Sequence, residues 1–450
     1  MRRPELRNRN PETASVEPRH LRRAFLALLL LGLASAPAPA LDDPSLRAVL
    51  FQRARAETLG VPLVLLCHET RCEMQGNGRR VIGEDWVWYV HDPESPLCDQ
   101  VRHPRLLLES AAETFGLNHC RIFRDRDTLR AEKGAWNLAM PEGWPCADAG
   151  SWVEAAGTLP PLRHGDVVQI SYIIHNRWDP GRLPEDWQLL PLTHPGIPTF
   201  DRSILVPYYI GVDGRVKVIG DSTRLIEHWG EISPLIEMHT GNLPAGPEDP
   251  TAPGAPRLLF TSSPDWGAIV TSLGSSYRST IEALEQAFAT KGDSLVPVFP
   301  LTRARLADVL ERIELDWPRI PRSLTAGGYF PQSLPNLARA ACADRLDRAL
   351  LVAGLAGAAR LKVNVYLARG PHAEPFLPGF PIPQQFDRVL LRVLVAEEDR
   401  HLLLDPWEPT LEAATGAVPP GTLLLDLLGP KPGFLEVSDD GSLRPRSFEP

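Results

Sequence analysis

The chain lacks a long apolar run. Its longest near the start, Ala24 to Ala34, is far short of the ~20 residues that a membrane-crossing helix needs. No later segment reaches that length without charges, so no membrane span is expected in the mature chain. Also missing are a Gly-x-Ser-x-Gly elbow, a His-Glu-x-x-His pair, a phosphate loop and a dinucleotide fingerprint, which removes the common signatures of hydrolases, zincins and nucleotide enzymes. There is no internal repeat, coiled coil or low-complexity tract. The 46 prolines scatter through loops instead of forming a repeat, so an extended proline-rich rod is excluded.

What is present begins with an export signature. A basic stretch ending in Arg19, Arg22 and Arg23 precedes the apolar run, and "SAPAPALDD" follows it, with Ala38 and Ala40 in the cleavage positions. A secretory signal peptide over residues 1–40 is the expectation, giving a periplasmic or extracellular protein after cleavage near Ala40. An uncleaved anchor with a short basic tail is the alternative. The removed residues carry seven Arg and three Glu, so the formal charge falls from −9 to −13. Nucleic acid and anionic membrane surfaces are poor partners for such a surface.

Export permits disulfides. Cys67, Cys72, Cys98, Cys120 and Cys146 crowd into the first third of the mature chain, and Cys342 stands alone. At least one bridge among the first five is expected, with connectivity open. The "CHETRC" stretch offers Cys67, His68 and Cys72 as a metal clip, but no second set with zinc-like spacing follows. Neither metal nor cofactor is expected.

At 450 residues, two or three domains are expected. From Val61 to about Ile236 the pattern is that of strands. "VVQISYIIHN" puts Val168, Ile170, Tyr172 and Ile174 on one face. "ILVPYYIGVDGRVKVIG" reads as two strands joined by an Asp213-Gly214 turn. A Pro/Gly-rich connection, residues 241–255, marks a boundary. Beyond it come helices at Tyr277–Thr290 and Thr302–Ile313, the second with Leu306, Val309, Leu310 and Ile313 on one face. A helix and an antiparallel sheet follow, the latter from "LKVNVYLAR", "FDRVLLRVLVAEE" and "RHLLLDPW", with an acidic turn at Glu397, Glu398 and Asp399. The end, "SDDGSLRPRSFEP", reads as frayed. The fold class expected is α+β, with a mainly-β, sandwich-like domain at 41–240, a linker at 241–255, an α+β domain at 256–430 and a tail at 431–450.

Several segments, in a shared order, resemble exported bacterial proteins that join a mainly-β domain of unknown function to a transglutaminase-like module. They are "LPPLRHGDVVQISYIIHNR", "VPYYIGV", "APRLLFTSSPDWGAIV", "FPQSLPNLARAACADRLDRALLVAGLAGAA", "PIPQQFDRVLLRV" and "LLLDPW". The resemblance implies a transglutaminase-like (papain-like) second domain whose catalytic cysteine sits at a helix N-terminus, with a histidine and an aspartate on neighbouring strands. Here the matching positions hold Arg345, Arg388 and Asp405. Arginine supplies neither a thiolate nor a general base. Cys342 stands three residues before Arg345, about 4.5 Å along a helix axis, and so enters a different layer of the site. His401 lies four strand residues, roughly 13 Å, from Asp405, and His372 sits in a Pro-rich loop.

The reading that follows is a catalytically inactive module serving as a binding or scaffolding unit for an unknown protein, peptide or cell-envelope ligand. The alternative is a thiol-dependent transglutaminase-like or peptide-amide enzyme using Cys342 in a shifted register. Arg345, Arg388 and Asp405 are the candidate binding residues, and two guanidinium groups against one carboxylate leave room for an anionic ligand.

Overall fold

The computed structural model describes residues 49–448 apart from 75–79, 110–112, 126, 131–135, 146–151, 177–186, 208–214, 221–225, 230–234, 248–254, 292–301, 321–323, 325–328, 335–336, 338–341, 362, 372, 374, 396–399 and 430–432. The expected signal peptide, the Asp213-Gly214 turn and the acidic turn at 397–399 lie outside the described residues. Among those described the protein is α+β and strand-rich, and no helix is long and apolar enough to cross a membrane.

A short helix, α1 (Arg53–Leu59), leads into the first strands. These are β1 (Leu63–Met74), β2 (Arg80–Val90), β3 (Arg105–Glu109), β4 (Glu113–Arg124), β5 (Asp127–Arg130), β6 (Trp136–Ala139) and β7 (Trp152–Gly157). Then come β8 (Val167–Asn176), β9 (Trp187–Pro191), β10 (Thr199–Pro207), β11 (Arg215–Ile219), β12 (Ile226–Trp229), β13 (Leu235–Leu243) and β14 (Arg257–Thr261). Eight of them make one sheet in the order β12-β13-β10-β1-β2-β8-β4-β5, while β11-β14-β9 and β3-β7-β6 make two smaller sheets. Among the described strand pairs only β1 and β10 run parallel.

The alternation in β8 is as the sequence suggests, but both of its faces are buried. On one, Ile174 packs with Leu108 and Ala155 of the β3-β7-β6 sheet, and nearby Ile204 and Val206 of β10 pack with Leu258 and Phe260 of β14. On the other, Val167 packs with Val64, Leu66, Val87, Tyr89 and Ala56 of α1. A strand covered on both sides reads as a continuous apolar run, which is why "VVQISYII" carries so few charges.

The expected hairpin between "ILVP" and "RVKVI" does not form. Strand β10 already has β1 on one edge and β13 on the other, so no edge remains, and β11 joins β14 in a different sheet. Strand β13 also runs to Leu243, into the Pro/Gly-rich segment, and β14 just beyond that segment pairs back with β9 and β11.

Helices α3 (Trp266–Lys291), α4 (Arg303–Asp316) and α5 (Arg345–Ala358) then form one layer against a six-stranded sheet; the four-residue Asp99–Arg102 turn, α2, belongs to the first half. Thr302 caps α4, and Leu306, Val309, Leu310 and Ile313 are all buried as the spacing predicts. Helix α5 is buried from Leu346 to Ala356, so its whole circumference is apolar apart from Asp347 and Arg348. Gly354 allows α3 to approach: a Cβ there would meet Leu284 Cβ at 2.5 Å.

The sheet comprises β15 (Val363–Arg369), β16 (Arg388–Val395), β17 (Arg400–Leu404), β18 (Leu423–Asp426), β19 (Gly433–Val437) and β20 (Leu443–Arg446), in the order β17-β16-β15-β18-β19-β20. Its first three strands match the expected antiparallel set. The C-terminal segment is not frayed. Strands β19 and β20 pair from Phe434 to Arg446, and Phe448 meets Phe434 edge-on at 5.2 Å.

Candidate functional site

Two of the three residues singled out in the sequence, Arg345 and Asp405, meet at the N-terminus of α5. Asp344 caps the helix, its side chain accepting from Asp347 N at 2.9 Å, and both acids suit the positive end of the helix dipole. Asp347 accepts from the backbone N and side-chain Nε2 of Gln332. Arg345 then reaches across to the end of β17, where its Nη1 lies 2.8 Å from Asp405 Oδ2. The other oxygen, Oδ1, accepts from Trp407 N at 3.0 Å. The pair is therefore a single charge-assisted bond with Asp405 almost wholly buried, not a two-pronged fork.

Trp407 organises the rest. The guanidinium groups of Arg319, Arg345 and Arg348 stand 5.4, 5.2 and 6.0 Å from its ring centre, within cation–π range. Arg348 is completely buried; its Nη2 pairs with Glu314 at 2.9 Å and its Nε donates to Pro406 O. Burial holds its pKa below the usual arginine value, while Glu314 works against that shift.

Arg388, at the start of β16, turns elsewhere. Its Nη1 donates to Ala417 O at 3.0 Å, at the C-terminal end of α6 (Leu411–Gly416), and its Nε is 4.0 Å from Asp387. Among the described residues no hydrogen bond or ion pair joins it to Arg345 or Asp405. Two of the three matched positions thus meet and the third does not.

Cys342 lies just ahead of the helix, fully buried against Ile320 and the partly buried Trp144, and it is disulfide-bonded. It presents no thiol. His401 is exposed on β17, and His372 lies outside the described residues. The cysteines of the first half depart from expectation too, since Cys67, Cys72, Cys98 and Cys120 are all buried and form no disulfide, and Cys146 falls outside the described residues. No bridge therefore joins any two of the first five. They sit in separate surroundings: Cys67 packs against α1, Cys72 faces the β14 sheet, and Cys98 and Cys120 lie in a third cluster. Alternation also puts Cys67 and His68 on opposite faces of β1, which rules out the metal clip.

A second constellation, not foreseen from the sequence, lies in the first half. His68 is fully buried with Nε2 2.5 Å from Glu84 Oε2 and Nδ1 2.9 Å from His194 Nε2. Thr70 Oγ1 donates to Glu84 at 2.9 Å and accepts from Arg202 Nη2 at 2.8 Å. Burial pushes Glu84 up to about 7, against the lowering influence of Arg202 and Thr70, and holds His68 well below its ordinary value. With Glu84 ionised, His68 carries its proton on Nε2 and accepts from His194 through Nδ1, leaving His194 Nδ1 with a lone pair.

Trp86 stacks on His68 at 3.6 Å, and it also walls a cavity of about 660 Å³. Trp88, Trp136 and Tyr172 add aromatic surface there, with Gln100, His103 and Arg105 among the polar lining. Gly157 makes room for this wall, because a Cβ there would stand 2.6 Å from the Trp136 ring. A pocket walled by aromatic and aliphatic side chains with a few convergent polar groups is the usual form of a small-ligand site. The signal in the sequence was the run of tryptophans in "EDWVWYV". Its partners, Trp136 and Tyr172, come from other strands and could not be assigned to it.

No family model matches the chain, and no curated protein matches it. A solved structure from Parabacteroides distasonis, described as that of a candidate protease, is similar over 84% of this chain and 72% of that one, at 13% identity and a TM-score of 0.66. That likeness is one of fold. An M1 zinc metallopeptidase from Deinococcus radiodurans aligns over 44% of this chain and 42% of that one, at 15% identity and a TM-score of 0.23, too little to carry an argument.

Proposed function

We propose that the chain is an exported binding protein whose C-terminal half is a transglutaminase-like module without thiol chemistry. The observation that carries this reading is the ion pair between Arg345 and Asp405. A cation bonded to a buried carboxylate occupies the positions where that chemistry needs a thiolate and its partners, and guanidinium is neither nucleophile nor base at neutral pH. The shifted-register alternative loses its nucleophile because Cys342 is disulfide-bonded.

Ligand binding is assigned to the aromatic pocket. Its tryptophan faces and hydrogen-bonding rim suit a cell-envelope fragment that offers flat apolar ring faces and polar edges. An anionic ligand at Arg345 and Arg388 is the second possibility considered, and it is weaker because Arg345 is paired with Asp405 and Arg388 is bonded to Ala417 O. The fold neighbour's description as a candidate protease does not transfer, since one fold hosts many chemistries.

The test has two arms. Amine-incorporation and amide-hydrolysis assays on the oxidised chain should show no turnover that depends on Cys342, and a signal abolished by Cys342→Ala would sink the non-catalytic reading. Cell-wall glycopeptide fragments should quench tryptophan fluorescence, with at least about a tenfold loss of affinity in Trp136→Ala. Unchanged affinity in that variant would remove the pocket from the proposal.

A further inference from the structure

Three donors that belong to neither constellation above converge where α1 and the ends of β2 and β8 adjoin. Glu57 projects from α1, His91 follows the last residue of β2, and His164 sits in the turn before β8. Glu57 Oε1 is 3.1 Å from His164 Nε2 and 3.8 Å from His91 Nδ1, and all three donor atoms lie within 4.8 Å of one another. Zinc bound at about 2.0–2.2 Å in tetrahedral geometry separates its ligands by roughly 3.3–3.5 Å. These two separations bracket that value. The remaining pair, the two imidazole nitrogens, is no farther apart than 4.8 Å.

The surroundings prepare these atoms for a metal. His164 Nδ1 lies 2.7 Å from His91 O; a carbonyl only accepts, so Nδ1 carries a hydrogen, and Nε2 is turned to Glu57, where a metal would take the place of the proton shared by that pair. A backbone carbonyl behind a ligating imidazole is the usual outer support of a metal site. His91 Nδ1 is buried at the atom level and has no hydrogen-bond partner, its distance to Glu57 being too long for one. The loops are fixed relative to each other as well. Gly165 N donates to Val90 O, Val90 N donates to Asp166 O, and His91 N donates to Pro62 O.

We propose that Glu57, His91 and His164 form a zinc site with a fourth position open to solvent, clamping α1 to the adjoining ends of β2 and β8. Two imidazoles and one carboxylate are a donor set that suits zinc, while calcium and magnesium prefer oxygen alone.

Zinc titrated calorimetrically into tag-free, full-length protein should bind saturably at one per chain, and raise the melting temperature as its concentration exceeds the dissociation constant. Cobalt in its place should give the visible absorption of a four-coordinate ion. The double variant His91→Ala, His164→Ala should lose at least about a hundredfold in affinity, and Glu57→Gln about tenfold. All three side chains are surface or partly exposed, so a circular-dichroism spectrum will report that the variants fold. Absence of saturable binding below about 1 mM overturns the site, as does binding that survives in the double variant.

Discussion

Among the described residues each half of the molecule buries one arginine completely, Arg202 in β10 and Arg348 in α5, and the two are held in different ways. Arg202 is surrounded by uncharged acceptors: Nη1 donates to His68 O and Ser203 O, and Nη2 to Thr70 Oγ1. Its counter-charge, Glu84, is one hydroxyl removed. Arg348 meets a carboxylate directly, Glu314, and that carboxylate is about one-third exposed. A strand in mid-sheet offers an arginine neighbouring carbonyls and cross-strand side chains but no water. A helix at the edge of its layer lets the cation share a partner with solvent. Arg202 is therefore tied to a network that collapses as a unit, whereas the Arg348 pair can rehydrate through Glu314.

The largest effect expected is on Arg202→Met, which strands Thr70, two carbonyls and Glu84 in the interior and should cost about 3–5 kcal/mol by urea unfolding. A loss under about 1 kcal/mol would show that the network does not depend on its cation.

Next comes acid. Burial foremost, then His68 and Arg202, hold His194 down at about 2, and His68 is lowered in the same direction. A depressed histidine contributes stability that is complete above its unfolded value of 6.5 and is lost as pH falls below it. Glu84, raised to about 7, has the opposite sign and loses its contribution as pH rises from 4.5. Two histidines against one carboxyl leave this network's contribution falling by roughly 1 kcal/mol per pH unit between these limits as the solution is acidified. Unfolding curves at about pH 6.5 and 5 check it. His194→Gln should flatten this window, and a wild type already flat there would break the account.

Arg348→Met should cost less than the Arg202 change, about 1–2 kcal/mol, because the apolar chain fills the same space and Glu314 regains water. Equal losses at the two arginines would erase the contrast. Smallest of all is Arg388→Ala, at about 0.5 kcal/mol, since it removes only a half-exposed bond to the end of a six-residue helix.

These contrasts also explain what the sequence disclosed. Periodicity located α4, β8 and the β15 to β17 set because each has a strong apolar rhythm of its own, and the order of matched segments brought Arg345 and Asp405 together across 60 residues. Arg202 was illegible: in "TFDRSILVP" it looks like any polar residue of a half-exposed strand, and only the cover supplied by β9 and β14 makes it internal. His68 misled as a candidate ligand beside Cys67, although alternation had already sent the two side chains apart. The aromatic pocket depends on residues between 86 and 172 meeting across four strands and α2, and no local signal encodes such a meeting. The failed hairpin belongs here also, because Asp-Gly announces a turn but not which edges are vacant.

The strand after the Pro/Gly-rich segment has a consequence for modularity. Strand β14 is the middle member of its sheet, and only five residues later the chain is already in α3. Around that crossing Thr261 Oγ1 donates to Pro381 O, Arg215 Nη1 to Gly379 O and Trp266 Nε1 to Pro378 O. Cutting at the composition break near Ala255 would thus take the central strand away from β9 and β11 and leave both without a neighbour. The halves differ in architecture yet are not interchangeable parts. An independently expressed first half would have to carry residues to at least Thr261, and the second half would then begin without the strand that seats it, so a transplant of either into another protein must bring this splice along.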